Sequence, residues 1–251
     1  MTEPVPALSI IIPSFNEEAR LPPTLERIYH FLSDRRDQLL NTEIIVVDDG
    51  STDGTAKVAE DWMRKFPNLR LVSNRRNRGK GFSVRRGMLE ARGRLTLFTD
   101  ADLSTPIEEM DKLLDALRTQ DVAIGSRALD RRMIETHQAW PRELAGIIFN
   151  TFVRILTGLP YLDTQCGFKA FRRDRAIICF EQQRSERFGF DPELLYLAKR
   201  HGLTCIEVPV RWAHDPRTKV HVVTDSIDMF FELLRIQWNT FLGRYPRGKH
   251  S

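Results

Sequence analysis

Two aspartates stand two residues apart in Asp100-Ala101-Asp102, directly after the apolar run Leu95–Thr99. Carboxylates at this spacing can together bind one hard divalent cation, and such a cation can also bridge a diphosphate. Surface acids or a helix cap would explain the same pattern. The position of the aspartates at the end of a predicted strand favours a metal site.

A second group of potential ligands lies in the segment Asp48-Asp49-Gly50-Ser51-Thr52-Asp53-Gly54-Thr55. Its glycines permit a tight turn, and its carboxylates can accept hydrogen bonds from a base or a ribose. The alternative is a capping loop in which Asp53 or Thr55 only begins the next helix.

Two cationic segments have the composition to contact phosphate groups. Asn77-Arg78-Gly79-Lys80-Gly81 combines a flexible backbone with an ammonium group, but it lacks the full Walker A pattern of an NTPase. Gly125-Ser126-Arg127 follows a short apolar run and could contact an anionic acceptor. A structural salt bridge of Arg127 is the competing interpretation.

The elements that must position these residues alternate between strands and helices. Apolar runs predict strands at Leu8–Ile12, Ile44–Val47, Leu69–Val72, Leu95–Thr99 and Val122–Ile124, with helices between them, among them Phe82–Ala91. This alternation predicts an α/β fold with a mostly parallel, doubly wound sheet and helices on both faces. Ligands bind at the carboxyl ends of such strands, so Pro13–Glu18, Asp48–Asp53 and Asp100–Ser104 should meet on one rim.

The second half contains two strongly apolar helical segments, Glu143–Leu159 and Ser226–Leu242, and a strand at Thr204–Val210. Leu144–Leu162 is interrupted by polar residues, so it does not predict a membrane span. The polar stripe of the last helix is too narrow for a helix on the outside of a monomer. These helices could lie on a membrane surface, pack on the core or form a homo-oligomer interface.

Composition limits the classes of protein that remain. The chain has 251 residues, of which 41% are hydrophobic and 29% charged, which excludes wholesale disorder and predicts one α/β domain over residues 1–251. Three cysteines without CxxC spacing argue against a disulfide framework or a zinc site and favour a reducing compartment.

The formal charge of +4 is unevenly distributed. Eleven Lys and Arg residues stand against the single acid Glu90 between Arg64 and Arg94, which favours a phosphate-bearing partner or a solvated face. Nucleic acid is disfavoured as this partner, because almost no aromatic residues other than Phe82 interleave with these arginines and the aspartate pair would have no role.

Several of these segments together resemble family 2 glycosyltransferases of the GT-A fold. In the first half they are IIPSFNE (Ile11–Glu17), DDGSTDGT, RGKGFSVRRGM and DADLS. In the second half, Gly125-Ser126-Arg127, DTQCGFK (Asp163–Lys169) and FGFD (Phe188–Asp191) resemble the branch that uses dolichyl and polyprenyl phosphates, and its glucosyl members most. The resemblance runs from about Leu8 to about Lys219.

The resemblance implies inverting transfer of a hexose, with glucose favoured, to polyprenyl or dolichyl phosphate. UDP-glucose is the favoured nucleotide sugar and GDP-mannose the second, with Mg²⁺ or Mn²⁺ as the cofactor. The implied location is the cytoplasmic face of a membrane, with the protein bound peripherally. Transfer to a soluble hydroxyl acceptor by the same fold is the alternative, and a non-enzymatic nucleotide-binding or nucleic-acid-binding module is disfavoured.

The resemblance also assigns roles to individual residues. The nucleotide sugar would contact Pro13, Phe15, Glu17, Asp48, Asp49, Lys80, Asp100 and Ala101. The metal would be bound by Asp100 and Asp102, and the acceptor phosphate by Ser126, Arg127, Arg217 and Lys219. The catalytic residues would be Asp102, Lys80, Arg127 and Asp191, the last as a base for a hydroxyl acceptor. Mannosyl members usually carry Gln where this chain has Ser104, so the set of metal ligands could differ from theirs.

By the same resemblance, residues 8–124 would form a nucleotide-sugar half and residues 125–224 an acceptor half. Residues 225–251 would add an amphipathic helix and a basic tail with Arg244, Arg247 and Lys249.

Overall fold

The computed structural model describes residues 5–35, 41–136, 140–213 and 222–246. The strands are β1 (Leu8–Ser14), β2 (Thr42–Asp48), β3 (Leu69–Ser73), β4 (Leu95–Thr99), β5 (Val122–Ser126), β6 (Ile134–Thr136), β7 (Phe168–Arg172), β8 (Cys205–Pro209) and β9 (Trp212–Ala213). The helices are α1 (Leu21–Ser33), α2 (Thr55–Met63), α3 (Lys80–Glu90), α4 (Met110–Ala116), α5 (Trp140–Thr157), α6 (Arg173–Gln182), α7 (Phe190–Arg200) and α8 (Val222–Phe241).

Seven strands form one sheet in the order β3-β2-β1-β4-β7-β5-β8, and β6 pairs with β9. The pairings are parallel except those of β7, which runs antiparallel to both β4 and β5. The predicted α/β fold with a mostly parallel sheet is therefore confirmed. Strand β7 was not predicted, and it lies between β4 and β5 in the sheet.

Side chains of the sheet alternate between two apolar cores, as the two-residue period of a strand requires. Ile10 of β1 faces the first core together with Leu25 of α1. Ile11 faces the second core, which also contains Val84 of α3 and Leu194 of α7. The apolar runs in the sequence are continuous because both faces of these strands are covered by helices.

Helix α3 begins at Lys80, two residues before the predicted start at Phe82. Gly79 precedes it with φ +111°, a conformation that residues with a side chain rarely adopt. A Cβ atom on Gly79 would also lie 2.5 Å from the carbonyl oxygen of Glu186. This glycine therefore permits the sharp entry that places Lys80 at the head of the helix.

Helices α5 and α8 correspond to the two apolar segments predicted in the second half, and each begins three or four residues earlier than predicted. They pack on each other through Phe152 and Phe230, whose rings meet edge to face at 5.5 Å, and on the core through Val153 and Leu233. We call their solvent-exposed residues the apolar face: Leu144, Ile147, Ile148, Phe152, Ile155, Phe231, Leu234, Trp238, Phe241 and Leu242. Within the described ranges no helix has both the length and the hydropathy to cross a bilayer.

The segment after α8 returns to the body of the protein. Tyr245 is fully buried, its hydroxyl donates to the Glu193 carboxylate, and its carbonyl accepts from Arg200 Nε at 2.9 Å. This contact fixes the end of α8 against α7. Of the predicted basic tail, Arg244 is described, whereas Arg247 and Lys249 lie outside the described residues.

Candidate active site

The loops that follow β1, β2 and β4 meet at one rim, because these strands are neighbours in the sheet. The Asp49 N–H donates to the Ser14 carbonyl at 2.8 Å and joins the first two loops. Leu103, directly after Asp102, has φ +46°, a left-handed conformation that is strained for a bulky residue. Such conformations concentrate at functional sites, and here one bends the chain beside the aspartate pair.

Lys80 and Asp100 form the central ion pair of the rim, with Lys80 Nζ 2.5 Å from Asp100 Oδ1. Burial opposes the positive charge of Lys80, but the carboxylates of Asp100 and Asp191 outweigh this effect and raise its pKa. Lys80 therefore remains cationic and can stabilise a further negative group beside Asp100.

Asp102 lies between a backbone donor and an arginine. Its Oδ1 accepts from the Ser104 N–H at 2.9 Å, and its Oδ2 lies 3.6 Å from Arg20 Nη1. Arg20 also forms a bidentate ion pair with Glu17, one of the predicted nucleotide-sugar residues. Burial and then the charge of Asp100 raise the pKa of Asp102.

A divalent cation fits this pair of carboxylates. Asp100 and Asp102 repel each other, and a shared cation would stabilise both in the ionised form. Gly167 faces Asp100, where a Cβ atom would overlap the carboxyl group, so glycine leaves space for that group. The described ranges contain no cluster of three or more His, Cys, Asp or Glu residues suited to a metal. Mg²⁺ commonly takes one or two carboxylates and completes its shell with phosphates and water.

The residues predicted to contact the nucleotide line the β1 and β2 side of the rim. Pro13 is buried within β1, and Phe15 is half-buried just beyond its end. Asp48 is buried at the end of β2 and accepts from the Ser51 N–H at 3.1 Å. Ala101 is buried, and its carbonyl accepts from Thr24 on α1.

Asp49 holds the loop that leads into α3. Its carboxylate accepts from the N–H groups of Arg78 and Gly79, at 3.1 and 2.7 Å, and from Asn74 Nδ2 at 2.7 Å. Asp49 is almost fully buried, so these bonds position the backbone immediately before Lys80. The second aspartate of the Asp48-Asp49 pair thus acts on the site through this loop.

Arg127 forms a salt bridge with Asp163, the alternative left open by the sequence. Its Nε and Nη2 lie 2.6 and 2.8 Å from the two Asp163 oxygens, and its guanidinium is 5.3 Å from the centre of the Trp212 ring. Burial tends to raise the pKa of Asp163, but the Arg127 charge outweighs it and lowers the pKa. Asp163 was not predicted as a site residue, although it begins the DTQCGFK segment.

Of the other predicted acceptor residues, the structure describes Ser126 only. Ser126 is fully buried, and its hydroxyl has no hydrogen-bond partner in the described part of the chain. Arg217 and Lys219 lie outside the described residues.

Asp191, in the first turn of α7, forms a buried ion pair with Lys169 of β7. Lys169 is fully buried and also donates to the Cys166 carbonyl at 2.6 Å. Burial raises the pKa of Asp191 and exceeds the opposing effects of Lys169 and Lys80. Lys169, Asp191, Lys80 and Asp100 therefore form a row of alternating charge that links the rim to the interior. Lys169 was not predicted as a site residue, because its sequence motif does not show that its side chain is buried against Asp191.

The family model for glycosyl transferase family 2 matches residues 9–177. The chain therefore belongs to this family, and its sheet and helices are those of a GT-A glycosyltransferase. It is 35% identical over 247 residues to the dolichyl-phosphate beta-glucosyltransferase of Dictyostelium discoideum, covering 94% of this chain and 75% of the relative. The enzymes of that name from Drosophila melanogaster and Homo sapiens are 40% and 34% identical, covering 94% and 96% of this chain and 75% and 78% of the relatives.

Solved structures agree on the fold. Glucosyl-3-phosphoglycerate synthase from Mycobacterium tuberculosis in complex with UDP has a TM-score of 0.65 at 23% identity, covering 92% of this chain and 80% of that one. The mannosyltransferase PcManGT from Pyrobaculum calidifontis in complex with GDP-Man and Mn²⁺ has a TM-score of 0.58 at 20% identity, covering 96% and 72%.

Proposed function

We propose that this glycosyltransferase transfers glucose from UDP-glucose to dolichyl phosphate or a related polyprenyl phosphate, with inversion at the anomeric carbon. The observation that carries the proposal is the similarity to dolichyl-phosphate beta-glucosyltransferases over more than nine-tenths of the chain. The site supports it with two cations, Lys80 and Arg127, in separate ion pairs. The charge of Asp100 contributes to the raised pKa of both cations.

The donor would bind on the β1 and β2 side of the rim, with its base and ribose near Pro13, Phe15 and Asp48. Mg²⁺ or Mn²⁺ held by Asp100 and Asp102 would supply positive charge to the departing diphosphate. Lys80, fixed by the loop that Asp49 holds, would stabilise the same developing charge. The Mn²⁺ in the related PcManGT structure supports a divalent cation in this fold.

The acceptor would bind on the β5 side of the rim. A phosphate monoester is already an anion near neutral pH, so its attack on the sugar needs little help from a base. The Arg127 guanidinium is fixed by its two hydrogen bonds to the Asp163 carboxylate. It would orient the acceptor phosphate and offset the repulsion between that phosphate and the diphosphate. The buried Ser126 hydroxyl would donate to the same phosphate, with Arg217 and Lys219 as further cations. Asp191 would be needed as a base only for a hydroxyl acceptor.

A matrix of donors and acceptors tests the proposal. Purified protein with Mn²⁺ or Mg²⁺ is expected to form product from UDP-glucose and a short polyprenyl phosphate, with GDP-mannose a poor donor. Lipid product would be detected by mass spectrometry, with the dephosphorylated polyprenol as the acceptor control. Product from the polyprenol, or from a soluble alcohol, without product from the phosphate would contradict the proposed acceptor and favour the hydroxyl alternative.

Substitution of Arg127 tests the acceptor side separately. Arg127→Ala is expected to raise the KM for polyprenyl phosphate about tenfold or more, because a charge-assisted contact is lost, while the Kd for UDP-glucose stays within about twofold. Steady-state kinetics and donor-binding calorimetry measure the two quantities. Arg132→Ala, at an exposed arginine paired with Asp130, is the control. An equal loss of donor affinity would place Arg127 on the donor side instead.

We further propose that the protein acts as a peripheral protein at the cytoplasmic face of a membrane. The phosphate of a polyprenyl phosphate stays at the bilayer interface, so the enzyme must reach it there. The apolar face of α5 and α8 exposes large hydrophobic side chains, among which Trp238 and Phe241 are 59% and 81% exposed. Helices of this kind bind at the interface in proportion to the apolar area that they bury.

Trp238→Ser together with Phe241→Ser is expected to lower binding to lipid vesicles at least about tenfold, since two large apolar groups no longer enter the bilayer. Co-sedimentation measures the binding. Met63→Ser with Leu129→Ser, which removes two exposed apolar groups outside the apolar face, is the matched control. Unchanged sedimentation accompanied by a smaller mass in size-exclusion chromatography would instead identify the face as a homo-oligomer interface.

A further inference from the structure

A basic groove of about 530 Å³ adjoins the donor side of the rim, since Arg78 of the loop before Lys80 is part of its lining. It is bounded by the loop of residues 76–78, the segment 184–187 and one side of α8. Neither Asp100 nor Arg127 lines it. The side chains that matter for its charge are Arg76, Arg78, Arg184, Arg187, Arg235 and Glu232.

The groove has an excess of positive charge available to a ligand. Arg78 is paired with Glu186 and stacks on the Phe82 ring at 3.7 Å. Arg187 and Arg235 are exposed and form no ion pair with any described residue. Five arginines stand against two glutamates in the lining, and this composition favours an anion that carries a phosphate.

Glu232 is the one acidic group that a phosphate in the groove would meet on α8. One oxygen of its carboxyl group is buried without a hydrogen-bond partner in the described part of the chain. Burial raises the pKa of Glu232, against the opposing charge of Arg235 on the same side of α8.

The groove adjoins the apolar face on the same helix. Arg235 follows Phe231 by four residues and precedes Trp238 by three, so its side chain lies beside both on the surface of α8. Phe231 and Trp238 are more than half exposed. A ligand with its phosphate at Arg235 would therefore extend its remaining atoms along apolar side chains, which a lipid can do and a soluble phosphate cannot.

We propose that this groove binds the phosphate of an anionic phospholipid whose acyl chains lie along the apolar face of α8. The inference rests on the membrane contact proposed above and adds a second lipid site to it. The groove is separate from the acceptor site, so the lipid in it is a membrane component and not a substrate. A lipid bound in the groove would orient the protein so that the rim faces the bilayer.

The test compares vesicles of phosphatidylcholine alone with vesicles that also contain phosphatidylserine. Arg187→Gln with Arg235→Gln is expected to lower binding to the anionic vesicles about 25-fold, from roughly fivefold for each arginine near an anionic surface. Binding to neutral vesicles should not change. Arg64→Gln with Arg118→Gln, which removes the same charge at exposed positions just after α2 and α4, is the control and should retain full binding.

The outcomes separate this proposal from the membrane contact itself. Equal binding of the groove variant and the unmodified protein to anionic vesicles, or an equal loss in the control variant, would overturn the specific lipid site. Stabilisation by glycerol 3-phosphate that depends on Arg187 and Arg235, without a change in vesicle binding, would assign the groove to a soluble phosphate and also overturn it. Failure of the unmodified protein to bind either vesicle would refute the membrane contact together with the groove.

Discussion

Asp102→Asn is expected to lower kcat by about 10²-fold or more, the scale of lost charge stabilisation in a transition state. The amide is a poorer ligand for a divalent cation than the carboxylate is, and it carries no charge. The substitution keeps an oxygen that can accept from the Ser104 N–H, so the local turn is preserved. Single-turnover kinetics with UDP-glucose and polyprenyl phosphate measure the effect, and EDTA is expected to abolish transfer by the native enzyme.

The control for this prediction makes the same chemical change at an aspartate that accepts hydrogen bonds in the loops before α1 and α2. Asp53 accepts from the Thr55 N–H at 3.0 Å and from the Glu18 N–H at 3.2 Å. Asp53→Asn should leave kcat within about twofold, because the amide oxygen of Asn can still accept a hydrogen bond from a backbone N–H. Native kcat for Asp102→Asn in the presence of chelator would show that the aspartate pair has no metal function.

Lys169→Met is expected to lower the free energy of unfolding by about 3–5 kcal/mol, the cost of leaving one partner of a buried ion pair alone. Asp191 would lose its ion-pair partner in a closed environment, and the Cys166 carbonyl would lose its donor. Urea unfolding followed by circular dichroism measures the change. Lys57→Met, at an exposed pair with Asp61, should cost less than about 1 kcal/mol.

A double variant distinguishes the ion pair from simple overpacking. Lys169→Met with Asp191→Leu removes both charges, so it should be more stable than Lys169→Met alone. If the double variant is less stable than either single variant, the volume of the side chains and not their charge determines the stability of this site.

The first half of the fold could be predicted because its physical requirements are local. Ile10, Ile11 and their neighbours are apolar on both faces of β1, which only a covered parallel strand requires. The rim then followed from the rule that ligands bind at the carboxyl ends of such strands. The aspartate pair and Lys80 were found for the same reason, since each lies at an element boundary visible in the sequence.

Strand β7 and the buried ion pairs could not be predicted, because they depend on contacts between residues that are far apart in the sequence. Strand β7 contains Lys169, which can be buried only because Asp191 lies against it in the folded protein. Arg127 and Asp163 are separated by 36 positions, and no local pattern shows that they form a salt bridge. In each case a charged residue that would be read as exposed has a buried partner from another element.

The antiparallel position of β7 also bears on how the chain is made. Strands β1 to β4 can assemble once the ribosome has released the chain as far as Thr99, but β4 then keeps an unpaired edge. Strand β5 cannot cover that edge, because β7 separates the two. The edge of β4 therefore stays unpaired until Phe168–Arg172 has been synthesised. Unpaired strand edges of this kind can pair with other chains and lead to aggregation. We expect nascent chains that end before Phe168 to depend on chaperones, and chains that extend past Arg172 to be released from them.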